Sequence, residues 1–281
     1  MGRDWAIRCT DGHAIVSAPL KRTLVLFDVD GTLLDSADGI SDIMAEAFHA
    51  AGKTPPPAAA VRGLIGLSLP EMIDAVTAPL PCGVREKILN GYRLRYFDMV
   101  EHLVELPVYR GAASTLGRLS DMGFVLGVAT GKARRSTSYL LSEMNWWPYF
   151  HTIQCAEGNA SKPATSMVRH ALKETGRRPE ETIMVGDSRY DMQMAKAAGV
   201  TAVGVAWGYT SGLELMREGA TAVAQSFDHL VDILIGLDAE IGPGFCATDP
   251  ARGASHASGG TTGLPDRTRV RVLQDEDLAD R

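Results

Sequence analysis

Short apolar runs rich in β-branched residues recur along the chain, and stretches with helical spacing separate them. Most of these runs end at a glycine-containing turn, a pattern that predicts buried strands. The predicted strands cover residues 23–27, 124–129, 182–185, 201–206 and 220–224. Because strands that alternate with helices favour βαβ units, we expect an α/β fold with a doubly wound, mostly parallel, Rossmann-like sheet. Such sheets bind ligands at the carboxyl ends of their strands.

Three of the intervening helical patterns stop at a glycine, which is a common helix terminator. They cover residues 111–122, 165–175 and 189–198. A long insertion precedes them and contains further helical patterns, at residues 39–51, 69–76 and 83–104. Proline-rich breaks separate the patterns within the insertion. An all-helical insertion directly after a polar strand end predicts a cap or lid over the site.

The expected domains follow from these boundaries. The α/β core is discontinuous and covers residues 21–35 and 106–237, and the helical cap domain covers residues 36–105. Residues 1–20 are expected to be a disordered extension, and residues 238–281 a disordered tail. The tail is rich in small and polar residues, and such a composition buries too little apolar surface to offset the entropy of ordering.

Charge and cysteine usage narrow the class of protein. A net charge of −6 argues against a general nucleic-acid or anionic-membrane surface. No apolar run approaches the roughly 20 residues that cross a bilayer, and the N-terminal stretch lacks the apolar region of a signal peptide. The four cysteines are far apart in sequence, which fits reduced thiols better than a disulfide framework or a zinc site. We therefore expect a cytoplasmic protein.

The first predicted strand ends in the run Asp28-Val29-Asp30-Gly31-Thr32. Residues two apart on an extended chain project to the same side, so Asp28 and Asp30 should share one face. Gly31 permits a tight turn whose backbone N–H groups can face an anion. With a third carboxylate, this pair would form an oxygen-rich site suited to Mg²⁺. A polar strand end that closes in a plain Asp-Gly turn is the simpler alternative.

Two acids follow the third predicted strand. Asp187 comes directly after it, and Asp191 lies four residues further on, within the next predicted helix. One or both could complete a metal site. They could equally be a helix N-cap and an acid that interacts with the helix dipole.

Two further polar groups are expected at the same edge of the sheet. Thr130 and Gly131 end the second predicted strand, where a hydroxyl and free N–H groups at a helix start can bind phosphate oxygens. Lys162 precedes Pro163, a residue suited to the first turn of a helix, so its ammonium could lie at this edge. An ordinary helix cap and a solvated lysine are the respective alternatives.

The order of these motifs is more specific than any one of them. Asp28 to Thr32, then Thr130, then Lys162 and Pro163, then Asp187 and Asp191 follow one another with a helical insertion after the first. Over residues 23–237 this resembles the haloacid dehalogenase-like hydrolase superfamily. The resemblance implies a phosphatase core with a helical cap between the first two motifs.

The resemblance also implies a role for each residue. Asp28 corresponds to the nucleophile that forms an aspartyl-phosphate, and Asp30 to the general acid and base. Thr130, Gly131 and Lys162 correspond to phosphate-binding groups. The implied metal is Mg²⁺, with Asp28, Asp30, Asp187 and Asp191 as its candidate acids and the Val29 carbonyl as a further ligand. An acid at Asp30 favours phosphoryl transfer over dehalogenation, because a halide leaves without a proton.

The substrate is less well indicated. The segment 61–69 resembles the short Ile-Gly segment in the cap of phosphoglycolate phosphatases, so Arg62 and Ser68 are candidate specificity residues. The β-phosphoglucomutase branch usually carries a lysine and an arginine where this chain has Ile65 and Leu69. We therefore expect a small phosphorylated metabolite as substrate, with phosphoglycolate preferred.

Other functions remain open at this point. They are a nucleotide or sugar-phosphate phosphatase, an inorganic pyrophosphatase and, less favoured, a mutase or a non-catalytic binding module. The sequence leaves the oligomeric state open.

Overall fold

A computed structural model describes residues 23–77, 80–102 and 107–241. Its centre is a six-stranded sheet in which all neighbouring strands run parallel, in the order β3-β2-β1-β4-β5-β6. The strands are β1 (Leu24–Phe27), β2 (Val125–Ala129), β3 (Phe150–Gln154), β4 (Thr182–Gly186), β5 (Thr201–Val205) and β6 (Ala222–Ala224). The predicted α/β class and parallel sheet are confirmed. The order of strands reverses between β1 and β4, and a reversal of this kind opens a crevice at the carboxyl ends of the strands.

β3 was not predicted from the sequence. It forms one edge of the sheet, so it is less enclosed than the central strands, and its side chains range from exposed to buried. Its sequence, FHTIQ, includes three polar residues and lacks the continuous apolar run that marks β1, β2 and β4. An edge strand is partnered on one side only, so its composition is a weaker signal.

Ten α-helices lie in the described residues, and four of them, α2, α6, α9 and α10, were not predicted. They are α1 (Ala37–Ala50), α2 (Ala58–Arg62), α3 (Leu69–Val76), α4 (Cys82–His102), α5 (Ala112–Asp121), α6 (Arg134–Glu143), α7 (Ser166–Thr175), α8 (Arg189–Ala198), α9 (Gly212–Glu218) and α10 (Phe227–Ile241). The predicted glycine terminators hold for α5, α7 and α8, which are followed by Gly123, Gly176 and Gly199 in left-handed conformation. Within the described residues no helix is long and apolar enough to cross a membrane.

Helices cover both faces of the sheet. Val25 and Phe27 of β1 contribute to one apolar cluster with residues of α5 and α10. Leu24 and Leu26, which point to the opposite face, contribute to a second cluster with residues of α7 and α8. All four side chains are fully buried. The sheet is therefore doubly wound, and β1 is fixed in position by apolar packing from both sides.

The helices of the insertion, α1 to α4, share an apolar cluster of their own. Ile40, Met44 and Phe48 of α1 pack there with Ile73 of α3 and Ile88 of α4. The insertion thus has an interior separate from the two clusters that flank the sheet. This agrees with the expected cap, although the exact domain boundaries stay predictions.

The last described helix reaches beyond the boundary predicted at residue 237. α10 continues to Ile241, and the Thr23 hydroxyl donates a hydrogen bond of 2.6 Å to Asp238 Oδ1. Residue 238 therefore contacts the start of β1 and belongs with the core. The predicted N-terminal extension and the remainder of the predicted C-terminal tail lie outside the described residues.

Candidate active site

The end of β1 presents Asp28 at the crevice between β1 and β4. The backbone N–H of Asp28 donates to the Val185 carbonyl of β4 at 2.9 Å, so the residue is still tied to the sheet. The chain then turns at Gly31, whose φ of +84° lies in the left-handed region that glycine tolerates best. A Cβ on Gly31 would lie 2.2 Å from Asp187 Oδ2. The turn can approach the second acid this closely only because residue 31 has no side chain.

The Val29 carbonyl is engaged inside this turn. It accepts backbone hydrogen bonds from Thr32, Leu33 and Leu34 at 3.2, 2.8 and 3.0 Å. An oxygen with three N–H donors points into the turn and has no lone pair to offer a metal ion. The expectation that Val29 supplies a metal ligand is therefore wrong.

Three buried acids come together at the edge of the sheet. Asp28, Asp187 and Asp191 each offer a carboxylate oxygen, and these oxygens lie within 4.8 Å of one another. The exposed fraction of each residue is 1% or less. Three carboxylates this close repel one another unless a cation lies between them.

Asp187 is oriented by neighbours from two loops. Its Oδ2 accepts a hydrogen bond of 2.9 Å from the backbone N–H of Tyr209, and its Oδ1 accepts one of 3.2 Å from the Thr32 hydroxyl. Gly208 packs directly against it, since a Cβ there would lie 2.1 Å from Asp187 Cβ. The carboxylate is thus held in one position beside the Asp28 turn.

Lys162 joins two of the acids. Its ammonium donates a hydrogen bond of 2.6 Å to Asp191 Oδ1 and lies 2.9 Å from Asp28 Oδ1. The other oxygen of Asp191 accepts from the N–H and the hydroxyl of Ser188, at 3.1 and 2.6 Å. Both oxygens of Asp191 therefore already have partners. Pro163 does not lie in a first helical turn as expected, because α7 begins only at Ser166.

Burial shifts the ionisation of these groups. Desolvation raises the pKa of Asp28 to about 7, although Lys162 opposes part of the shift. Desolvation also raises the pKa of Asp187 well above its usual range, and the charges of Asp28 and Asp191 add to this effect. Burial alone would lower the pKa of Lys162, but Asp191 and Asp28 outweigh it and raise the pKa.

The acidic cluster fits a hard divalent cation. Both carboxylate oxygens of Asp28 are buried; Oδ1 lies 2.9 Å from the Lys162 ammonium, whereas Oδ2 has no hydrogen bond from the described residues. A buried polar atom without a partner is costly, and a bound cation would supply the partner. Carboxylate oxygens without histidine or cysteine are the donors that Mg²⁺ prefers. Asp28 and Asp187 are the better candidates, because each Asp187 oxygen accepts one hydrogen bond from a neutral donor, whereas Asp191 pairs with the Lys162 ammonium and accepts two more hydrogen bonds from Ser188.

Asp30 lies at the same edge but outside this cluster, which differs from its expected place among the metal-binding acids. Its Oδ1 accepts a hydrogen bond of 2.5 Å from the Ser36 hydroxyl and lies 2.9 Å from the Lys132 ammonium. Burial alone would lower the pKa of Lys132, but Asp30 and Tyr96 outweigh it and raise the pKa. The structure thus separates the two acids of the motif: Asp28 faces the acidic cluster, and Asp30 faces a lysine.

A cavity of about 320 Å³ lies between the sheet edge and the helical insertion. Asp28, Asp30, Thr130 and Gly131 line it from the core. The insertion contributes mostly apolar and aromatic side chains, namely Ile40, Ile65, Leu67, Leu69, Met72, Tyr92, Tyr96 and Phe97. The cavity is therefore polar on the core side and largely apolar on the insertion side, as expected for a site that binds a small molecule.

The segment that contains Gly66 is seated on the core. A Cβ on Gly131 would lie 2.6 Å from the Gly66 carbonyl oxygen, and one on Gly66 would lie 2.8 Å from Ser188 Oγ. The insertion therefore contacts both the Thr130 loop and the start of α8.

The two candidate specificity residues take different positions. Ser68 lines the cavity and hydrogen-bonds Glu71. Arg62 is absent from the described lining. Its guanidinium forms an ion pair of 2.7 Å with Asp38, and its side chain is 48% exposed.

Sequence reasoning missed Lys132 and Arg93. They are the two basic residues in the described lining of the cavity. Lys132 follows Thr130 by two residues, so its place after a strand could have drawn attention to it. Arg93 lies on α4 in a stretch with several arginines, and its sequence does not mark it out.

The sequence pattern of the haloacid dehalogenase-like hydrolases matches residues 25–205. A probable phosphatase, IndB, of Dickeya dadantii is 30% identical over 212 residues, which cover 75% of this chain and 92% of that protein. A phosphoglycolate phosphatase of Pseudomonas syringae pv. tomato is 29% identical over 225 residues, covering 78% and 82% of the two chains.

Solved structures agree with these sequence matches. A predicted phosphatase from Clostridium acetobutylicum is 27% identical and superposes with a TM-score of 0.66, covering 77% of this chain and 99% of the other. A hydrolase from Pseudomonas syringae superposes with a TM-score of 0.68 at 23% identity, covering 76% and 98%. At that identity the second likeness shows the fold alone.

Proposed function

Because this chain belongs to the haloacid dehalogenase-like hydrolase family and is a phosphatase, we propose that it hydrolyses a small phosphomonoester through an aspartyl-phosphate on Asp28. The observation that carries the proposal is the state of the Asp28 carboxylate. It is buried, faces the cavity and keeps one oxygen, Oδ2, without a hydrogen bond from the described residues. An oxygen in that state keeps its lone pairs for a metal ion and for phosphorus.

The first step forms the covalent intermediate. One Asp28 oxygen bonds to phosphorus while the ester P–O bond breaks, and the leaving alkoxide takes a proton from Asp30. Thr130 and the backbone at Gly131 orient the phosphoryl oxygens at the end of β2. Lys162 supplies positive charge beside Asp28, which offsets the repulsion between the carboxylate and an anionic substrate.

The second step releases phosphate. Asp30, now ionised, removes a proton from a water molecule, whose oxygen bonds to phosphorus as the bond to Asp28 breaks. The Asp28 carboxylate is thereby regenerated. Helices α1 to α4 serve as a cap in this proposal, since their apolar side chains limit the water that reaches the cavity.

Mg²⁺ is the metal proposed for the acidic cluster, where Asp28 and Asp187 would hold it. When bound it supplies positive charge that screens the carboxylates from the phosphate and stabilises the charge that develops in the transition state.

Metal binding should stabilise the protein more at high pH than at low pH. The pKa of Asp28 is about 7 and that of Asp187 is also raised, so the folded protein without metal binds more protons than the unfolded chain. Its stability therefore falls as the pH rises from the usual carboxyl range of about 4 towards 7. Mg²⁺ favours the ionised carboxylates and removes this loss. Thermal unfolding with EDTA and with Mg²⁺ should show a larger Mg²⁺-induced rise in Tm at pH 8 than at pH 5.5, and an equal rise at both pH values would contradict the proposed ligands.

The substrate proposed is phosphoglycolate or a similar phosphorylated carboxylic acid. Its carboxylate needs a cation on the insertion side of the cavity, and Arg93 of α4 is the candidate. The described residues provide no ion pair or hydrogen bond for Arg93, whereas Lys132 is paired with Asp30. Arg62, the candidate expected from the sequence, is paired with Asp38 instead.

Arg93→Gln should raise the KM for phosphoglycolate by about 10- to 100-fold, since a hydrogen bond to a charged group is lost. The KM for 4-nitrophenyl phosphate, which has no carboxylate, should change little. Steady-state kinetics of Arg93→Gln and Arg62→Gln on both esters gives the KM values to be compared. A larger effect at Arg62 would favour the assignment made from sequence.

A screen of phosphorylated metabolites with Mg²⁺ separates phosphoglycolate from the other candidates, which are nucleotides, sugar phosphates and pyrophosphate. Phosphoglycolate should have the highest kcat/KM in the screen. If it ranks no better than generic esters, the proposed substrate is wrong and the phosphatase chemistry stands. A mutase is disfavoured because Ile65 and Leu69 line the cavity where that branch usually carries basic residues.

A further inference from the structure

We propose that Lys132 and Tyr96 form a positioning pair that orients Asp30 for proton transfer to the leaving group. Lys132 comes from the loop after β2, and Tyr96 comes from α4 of the insertion. The proposal rests on the phosphatase function proposed above. It adds that a residue of the helical insertion completes the proton-transfer machinery of the core.

The contacts form a continuous path. The Lys132 ammonium lies 2.9 Å from Asp30 Oδ1 and donates a hydrogen bond of 2.5 Å to the Tyr96 hydroxyl. It also lies 4.7 Å from the centre of the Tyr96 ring, within range of a cation–π contact. The side chain of Lys132 is only 5% exposed. A buried ammonium needs partners for its charge, and here one partner belongs to the core and one to the insertion.

The contacts on Asp30 leave one oxygen available. Lys132 and Ser36 both reach Oδ1, and the described residues provide no hydrogen bond to Oδ2. Two contacts on one oxygen fix the plane of the carboxyl group, so Oδ2 is the oxygen that exchanges the proton. Proton transfer needs an approach of about 3 Å to the leaving oxygen, and this fixed plane supplies the required direction.

A direct role for Lys132 in binding the phosphoryl group is the competing interpretation. A lysine ammonium has three N–H donors, and Asp30 and Tyr96 take two of them. Lys162 already supplies an ammonium to Asp28. The geometry therefore favours Lys132 acting through Asp30.

The dependence on leaving group tests the pair. The departing alcohol of an alkyl ester needs a proton from Asp30, whereas nitrophenolate leaves readily without one. The quantity to compare between the wild type and the variants is kcat/KM, which depends on the steps up to departure of the leaving group. For the best alkyl ester of the metabolite screen, Lys132→Met should lower kcat/KM about 100-fold and Tyr96→Phe about tenfold. For 4-nitrophenyl phosphate both losses should stay below about threefold.

Arg135→Met is the matched control. The Arg135 guanidinium lies 4.1 Å from the centre of the Phe97 ring, so it joins α4 to α6 without a described contact to Asp30. It should lower kcat/KM for both esters equally or not at all. A leaving-group-dependent loss in this variant would show that docking of α4, and not the Lys132–Tyr96 pair, matters.

Two other outcomes overturn the inference. Equal losses on both esters in Lys132→Met would show that the lysine binds the phosphoryl group. No loss on the alkyl ester in either variant would show that Asp30 needs no orientation from the pair. If melting curves show that Lys132→Met is unfolded, the kinetics of Tyr96→Phe decide between these outcomes, because that substitution removes only one hydroxyl. A wild-type protein that hydrolyses neither ester would instead refute the proposed function.

Discussion

Turnover of every phosphomonoester is expected to fall by at least about 10⁴-fold in Asp28→Asn, because an amide cannot attack phosphorus and form the covalent intermediate. The substitution keeps the size and shape of the side chain, so the turn at Gly31 and the packing of β1 should survive. Steady-state assays with Mg²⁺, together with circular dichroism of the variant, provide the measurement.

Asp121→Asn is the matched control, since Asp121 is exposed at the end of α5 and far in sequence from the motif. It should leave kcat and KM at the wild-type values. Rapid quenching of the wild-type protein with 4-nitrophenyl phosphate should also give a peptide that contains Asp28 with one added phosphoryl group. Wild-type turnover in Asp28→Asn, or a label on another residue, would refute the nucleophile and would favour a non-catalytic binding role or a different mechanism.

Lys162→Met is expected to cause the largest loss of stability among single changes at the site. The substitution leaves Asp28 and Asp191 buried without their shared cation, and removal of one partner from a buried ion pair costs about 3–5 kcal/mol. For a protein of this size we expect Tm to fall by about 10 °C. Phosphatase activity should fall by at least about 100-fold, because the charge beside the nucleophile is lost. Thermal unfolding with EDTA and with Mg²⁺ should show the greater fall with EDTA.

Lys173→Met is the control for loss of a lysine, since Lys173 is exposed on α7. Its Tm should stay within about 1 °C of wild type, as is usual for surface substitutions. In the double variant Lys162→Met with Asp191→Asn, part of the lost stability should return because one of the uncompensated charges is gone. A Tm for Lys162→Met equal to that of wild type would mean that the buried ion pair contributes nothing to folding.

The central strands were predictable because they carry two signals at once. β1, β2 and β4 are continuous apolar runs, and each is followed by a polar residue that the fold places at one edge. Helices pack against both faces of β1, so all of its residues must be apolar. The continuous apolar run in the sequence therefore indicates a buried strand. The edge strand β3 has one neighbour and a mixed composition, and no local pattern identifies it.

The site was predictable as far as its residues follow strands. Asp28, Thr130 and Asp187 come together because the carboxyl ends of parallel strands share an edge. The role of Lys132 could not be predicted from its position after a strand, since its partner Tyr96 lies 36 residues earlier in the chain, in another part of the fold. Only the packing of α4 against the core brings those two side chains into contact.

The orientation of single groups could not be predicted from sequence. Arg62 and Arg93 both lie on helices of the insertion, and the packing of those helices decides which one lines the cavity. The direction of the Val29 carbonyl depends on the backbone angles of the turn, which the letters Asp-Val-Asp-Gly do not specify. Both features depend on geometry at a scale below that of the motif.

The buried carboxylate of Asp28, whose Oδ2 has no hydrogen bond from the described residues, has a consequence for directed evolution. In the absence of metal at neutral pH, the folded protein holds this ionised acid at a cost, as its pKa of about 7 indicates. A library selected for heat resistance alone would therefore enrich neutral residues at position 28 and yield stable, inactive descendants. Selection that retains catalysis must keep this destabilising buried acid, as in other enzymes whose active sites lose stability in exchange for activity.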